Sequence, residues 1–133
     1  MKRINNLYPL IYDIDNIELA DKKARKCKEK RYGVARHDRN HHEENLELSN
    51  QLKNRTYRTS KYSNYKIYEP KERTISRLPY YPDRIVHHAI MNIMEPIWVK
   101  IFTADTYSCI KHRGIHTLVK KLRKDLDTDL DGT

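Results

Sequence analysis

The sequence predicts an α+β fold: helices around one small antiparallel β-hairpin. Two observations carry this. Apolar residues recur at helical spacing before Lys53 and after Pro82, whereas between Tyr57 and Leu78 the period drops to two around a central proline. A length of 133 residues suits one domain with a modest core, and neither an internal repeat nor a low-complexity linker divides it. The change of period separates a helical region, 1–55, from a second region, 56–133.

The first helix is expected over 16–30. Asp15 or Asn16 can cap it, Glu18 and Asp21 sit in its early turns, and Lys26, Lys28 and Lys30 in its last, as the helix dipole favours. Its apolar face is thin (Ile17, Leu19, Ala20, Ala24), which predicts a surface helix. Gly33 breaks the pattern. A second helix is expected over 38–53, with Leu48 and Leu52 one turn apart and Leu46 beside them.

Tyr65 and Ile67 then alternate with Lys66 and Tyr68, and the run from Arg73 to Leu78 alternates again. Between them Glu69-Pro70-Lys71-Glu72 has the composition of a turn, so the segment reads as a hairpin with basic side chains on both arms. Pro79 and Pro82 end it, because proline cannot donate to a ladder. Pro82 and Asp83 open the clearest helix, in which Ile85, Val86, Ala89, Ile90, Ile93 and Met94 form a stripe that must be buried. Pro96 is expected to interrupt it, with a short apolar segment continuing to Phe102. A last helix is expected over 115–126, with Ile115, Leu118, Val119, Leu122 and Leu126 on one face and Lys120, Lys121, Arg123 and Lys124 on the other.

Charge narrows the function classes. There are 27 Lys and Arg against 18 Asp and Glu, a formal +9, spread along most of the chain. A folded domain with that surplus attracts polyanions, so nucleic acid is the first partner and an anionic membrane surface the weaker alternative. No stretch approaches the roughly 20 apolar residues of a spanning helix, and the basic N-terminus lacks the apolar run of a signal peptide. Cys27 and Cys109 are expected as reduced thiols in a cytoplasmic protein. Ten tyrosines stand against one Phe and one Trp, and six fall between Tyr57 and Tyr81 among Arg55, Arg58, Lys61, Lys66, Lys71, Arg73 and Arg77. Stacking faces alternating with cations suit single-stranded or hybrid nucleic acid, although tyrosine is also a good strand residue.

Metal and nucleotide-loop chemistries fare worse. His37 and His41 are four apart, as are His112 and His116, but neither pair encloses the glutamate of H-E-x-x-H, and Gly114 interrupts the second. Ordinary polar or half-buried histidines are the expectation, and a His-dependent metal hydrolase is the least favoured reading. The segment from Asp127 to Gly132 imitates the start of an EF-hand loop without the closing glutamate. With three glycines in all, no Gly-rich phosphate cradle can form.

An ordered series of short segments carries a resemblance. Lys71-Glu72-Arg73-Thr74-Ile75-Ser76-Arg77-Leu78-Pro79, followed by Asp83-Arg84-Ile85-Val86, is similar to the K-x-R-x-L-x-I-P and D-R-V-V-Q segments of bacterial reverse transcriptases of the group II intron and diversity-generating retroelement type. Met94-Glu95-Pro96-Ile97, Phe102 and Thr106-Tyr107 resemble that family's L-E-P-I-F, F and S-Y. Lys111-His112-Arg113-Gly114 falls at its G-F-R-P-G-R-S turn. The likeness spans roughly 57–126. Ile110 stands where the intron enzymes have arginine, His112 where they have glycine, and the hairpin turn is shorter, which points to a divergent branch.

The resemblance implies the fingers part of a right-hand polymerase fold, without the palm strands that carry the catalytic aspartates. Residues 56–133 would then be a fingers subdomain and the start of a palm-linking helix. It implies that Arg73 contacts the incoming dNTP, where a rigid fork of donors suits a triphosphate, with Lys66 or Lys71 as the second cation. It implies that Arg84, Lys111 and Arg113 hold the template or primer backbone, with Arg77, Tyr65 and Tyr80 as further nucleic-acid contacts. Asp83 is expected to cap its helix. The implied function is that of an N-terminal fragment of an RNA-directed DNA polymerase, holding RNA template, RNA/DNA hybrid and dNTP. It would be inactive without the missing palm region of the same polypeptide. No catalytic residue, metal ligand or cofactor is assigned to this chain, magnesium belonging to the complete enzyme. The alternative is a free-standing, non-catalytic RNA-binding module.

Overall fold

The computed structural model describes residues 3–131, with side chains described through residue 128. Among them are six α-helices and one two-stranded antiparallel sheet. In chain order these are α1 (Leu7–Tyr12), α2 (Ile14–Arg25), α3 (Tyr32–His37), α4 (His41–Lys53), β1 (Ser63–Ile67), β2 (Arg73–Arg77), α5 (Ile85–Ile101) and α6 (Ile115–Asp131). The fold is α+β. No helix among the described residues is long and apolar enough to cross a membrane. The chain divides into two compact units, Met1–Met94 and Glu95–Thr133.

The first unit is built on α2, α4 and the N-terminal half of α5. Ile17 and Ala20, Leu48 and Leu52, and Ile85, Val86 and Ala89 form one buried cluster, with Ile11, Tyr12, Tyr57, Tyr80 and Tyr81 against it. Full burial of side chains such as Ile17 or Leu48 stabilises by about 1.5–3 kcal/mol each. The thin apolar face of α2 is thus a core face, not a surface one. Its alanines are small because neighbouring elements come close: Ala20 and Ala24 are buried, while the larger Leu19 lies outside. The helix is also displaced from the expected 16–30. Asp13 precedes its first turn, and the chain turns away at Cys27, whose φ is 62°. Lys26, Lys28 and Lys30 therefore follow the helix, and Lys22, Lys23 and Arg25 occupy its last turn.

Polar side chains fasten the same helices. The Asn16 amide donates to the carbonyls of Ile11 (3.0 Å) and Ala89 (3.1 Å), and Asn92 donates back to Asn16 Oδ1 at 2.9 Å. The short helix α1, which no periodicity announced, is tied on by Ser49 Oγ donating to the Tyr12 carbonyl at 2.5 Å. Gly33 does not break the chain as expected but lies inside α3. A Cβ there would sit 3.0 Å from the Tyr80 Cβ, so glycine lets α3 approach the turn before α5.

The expected hairpin forms, with β1 and β2 antiparallel and Ile67 opposite Arg73. An irregular helical turn, Tyr80–Arg84, kinked at Tyr81, leads into α5. The α5 stripe divides along its length: Ile85, Val86 and Ala89 are buried, Ile93 and Met94 half-buried, and Ile90 and Met91 exposed. Pro96 does not interrupt α5, which continues to Ile101. Proline inside a helix loses one backbone hydrogen bond, and here the apolar residues on both sides keep the helical path.

In the second unit, Arg113 Nη1 donates to the Thr103 carbonyl at 3.4 Å, a bridge joins Ile110 and Arg113, and Lys121 Nζ lies 3.3 Å from Asp105. Helix α6 runs five residues past the expected end. The segment that imitated an EF-hand is helical through Asp131 and so cannot wrap an ion as that loop does. Gly132 lies outside the described residues.

Candidate nucleic-acid interface

Strand register decides which hairpin side chains can act together. Residues directly opposite share a face, and alternate residues face opposite ways. The pairs Ser63–Arg77, Tyr65–Ile75 and Ile67–Arg73 share one face, and Asn64–Ser76 and Lys66–Thr74 the other. Tyr65, Arg73 and Arg77 therefore stand together, with Lys66 behind them. The Lys66 ammonium is held by the Glu72 carboxylate. Lys71 sits exposed in the loop between the arms.

A cleft of about 480 Å³ lies in the first unit. Tyr62, Tyr65, Ile75 and Arg77 border it from the hairpin, Tyr80, Arg84 and His87 from the turn and α5, and Lys28, Arg31 and Val34 from the loop after α2 and from α3. Four cations and three tyrosine rings meet here, and no Asp or Glu is among the described lining residues. On α5 nearby, burial, then the charges of Arg84, Lys28 and Lys23, press the His88 imidazole below its ordinary pKa. A second, more open cleft of about 690 Å³ sets Asp15, Glu18, Asp21 and Asp38 against Lys22, Arg25 and His41, a mixed lining with no preference for a polyanion.

Two buried carboxylates fasten segments that border the basic cleft. Asp21, 5% exposed, accepts from Arg25 Nη2 at 2.7 Å and from the Tyr80 hydroxyl, which fixes that ring at the cleft's edge. Burial favours the neutral acid, but hydrogen bonds from His37, Tyr80 and Arg25 outweigh it and hold Asp21 far below the usual carboxylate range. Burial and the bond to Asp21 push the Tyr80 phenol well up.

Asp83 does not act as the helix cap expected of it. It lies within the turn before α5, fully buried, and accepts from the Tyr57 hydroxyl at 2.6 Å and the Ser60 backbone N–H at 3.1 Å. Its burial is outweighed by those bonds, so its pKa is lowered, while burial and the same contact raise the Tyr57 phenol to about 12. Asp83 thereby anchors the segment that enters β1. It positions the hairpin over the cleft.

Comparison of the chain with protein-family models and with curated proteins finds no match in either.

Of the residues singled out from the sequence, Tyr65, Arg77, Tyr80 and Arg84 converge on the cleft. Arg73 shares the Tyr65 face but does not line the cleft, and Lys66 and Lys71 lie outside its lining. Lys111 and Arg113 belong to the second unit. Sequence reasoning missed Lys28, Arg31, Tyr62 and His87. The sequence places Lys28 at the helix end, and only the left-handed turn at Cys27 redirects the segment carrying it and Arg31. Among the described residues no group of three His, Cys, Asp or Glu side chains is disposed to hold a metal ion. Cys27 and Cys109 are exposed free thiols.

Proposed function

We propose that this chain is the N-terminal fingers portion of an RNA-directed DNA polymerase, with the basic cleft gripping single-stranded template. The reading is carried by the cleft, in which Tyr62, Tyr65 and Tyr80 offer stacking faces and Lys28, Arg31, Arg77 and Arg84 offer phosphate contacts. The left-handed backbone at His112, φ 65°, supports it further. The family it resembles has glycine there, the residue that adopts that conformation without steric cost.

In this reading Arg73 meets the triphosphate of the incoming dNTP. Lys71 is the second cation, because Lys66 is turned to the opposite face and held by Glu72. The palm of the same polypeptide covers the exposed part of the α5 stripe and supplies the catalytic carboxylates and magnesium. A free-standing RNA-binding module would use the same cleft and is favoured by one observation, the closed core of the first unit.

The test is RNA binding at increasing salt. Each phosphate neutralised on a single strand contributes about −0.7 to the log–log slope, so Arg77→Ala, Arg84→Ala and Arg31→Ala should each flatten it by about that amount. A parent slope near zero overturns the proposal.

A further inference from the structure

His37 ends α3, the helix whose Gly33 and Val34 border the basic cleft, and its ring is buried between two carboxylates. Nδ1 meets the Glu44 carboxylate of α4. Nε2 lies 3.6 Å from Asp21 Oδ2 of α2 and has no nearer hydrogen-bond partner. The rings of Tyr80 and Tyr81, from the turn before α5, pack against the imidazole. The charged and titratable groups around it are therefore Asp21 and Arg25 on α2, Glu44 on α4, Tyr80 and Tyr81 on the turn, and Asp38 next along the chain. A neutral imidazole has one N–H and one lone pair, so it donates to only one of the two carboxylates and turns the lone pair on the other. Only the imidazolium suits both. Arg25 cannot take its place, because its guanidinium already spans Asp21 at 2.7 Å and Asp38 at 2.6 Å. Burial disfavours the charged ring, but the two carboxylates outweigh it and raise the imidazole's pKa.

The groups that hold the ring also set one wall of the cleft. Asp21 accepts from the Tyr80 hydroxyl, and the Glu44 carbonyl accepts from the Tyr81 hydroxyl at 3.1 Å. Gly33 of α3 meets Tyr80 so closely that a Cβ there would lie 3.0 Å from the Tyr80 Cβ. Arg31, Gly33, Val34 and Tyr80 all border the cleft. We infer that His37 is a proton-operated positioning residue for the cleft. Protonated, it ties α3 to both α2 and α4 and keeps Arg31 and Tyr80 in place. On losing its proton it releases one tie, loosens α3 against Tyr80 and weakens the grip on a single strand. The tie is complete at low pH and is lost as pH rises through the raised His37 value. By linkage, a bound strand favours the protonated ring. The ligand in this inference rests on the nucleic-acid reading, whereas the loosening of α3 does not.

Two measurements on the whole chain test it. In the RNA-free protein, NMR follows the His37 ring through its titration alongside hydrogen exchange of the Ala35 and Asp38 amides, which bond to the carbonyls of Arg31 and Val34. Their protection, corrected for the intrinsic pH dependence of exchange, should fall as the ring loses its proton. Protection unchanged through that titration would overturn the inference whatever the cleft binds. The second measurement is affinity for a short single-stranded oligouridylate at constant ionic strength, in the parent and in His37→Gln. Affinity of the parent should drop by about fivefold or more across the His37 titration, beyond any drop in the variant. His87, in the cleft, is common to both proteins, so the difference between the two profiles belongs to His37. Salt-sensitive binding with the same pH profile in both would overturn the switch and leave the nucleic-acid reading standing. Absence of binding at every pH would overturn that reading and the switch with it.

Discussion

His37 shows how far tertiary contacts can redirect one residue. From the sequence it pairs with His41 at helical spacing, yet it ends α3 while His41 begins α4, so the two share no helix. Its ring is 1% exposed and stacks on Tyr81 at 5.2 Å between centroids. Nδ1 meets the Glu44 carboxylate, and Nε2 lies 3.6 Å from Asp21 Oδ2. Burial pushes the imidazole down, but the bonds to Asp21 and Glu44 outweigh it and raise its pKa above the ordinary 6.5. A raised folded-state pKa means the protonated ring stabilises the fold below about pH 6.5, and that contribution is lost as pH rises through the raised value. Asp21 has the opposite sign: its contribution is present above its ordinary value of 3.8 and lost as pH falls toward the depressed one. The cluster therefore stabilises most between these limits. Melting temperature should fall as pH rises through the raised His37 value, and His37→Gln should flatten that limb. An unchanged profile in the variant would rule out His37 as its source.

At the scale of elements, the hairpin was the most legible part. Its period of two and its Pro70 turn give strand positions that the structure reproduces, because a strand's face assignment depends only on counting residues. The same counting makes a prediction. Tyr65→Ala should cost about 1–3 kcal/mol of single-stranded RNA affinity, the range for losing one stacked base. Lys66→Ala and Thr74→Ala, on the opposite face, should change it much less. Equal losses on both faces, measured by filter binding, would contradict the cleft as the site. Helix α2 was less legible. Its first residue and its last turn depend on the chain's reversal at Cys27, a left-handed residue that no glycine marks. Its burial depends on α4 and α5 being at hand to cover two alanines.

For the whole molecule, the proposed reading is of a chain that grips nucleic acid and leaves the reaction to a palm. Nucleotidyl transfer by two metal ions needs the ions about 3.5–4 Å apart, held by carboxylates on a rigid support. Neither strand carries an Asp or Glu. Asp21 and Asp83 are buried and engaged in holding α3, the turn and the hairpin, and Asp125 and Asp127 lie on the exposed helix α6. The chain alone should not extend a primer with magnesium and four dNTPs, whereas a chain continued through a palm should. Incorporation by the 133-residue chain would sink the fingers reading, since the carboxylates would have to be here.

What the sequence determined by itself was local: the α+β alternation, the hairpin and its faces, the long helix after Pro82, and a cationic, tyrosine-rich surface. Each follows from periodicity or charge, which need no knowledge of distant neighbours. Only the tertiary structure decided that α2 is a core helix, that Asp83 anchors the hairpin rather than capping α5, and that α5 passes through Pro96. It also drew Lys28 and Arg31 to Tyr65 and Arg84, far along the chain from them. Those outcomes turn on which surfaces meet. A buried carboxylate or a redirected loop is selected by the partners it finds, and those partners lie far away in the sequence.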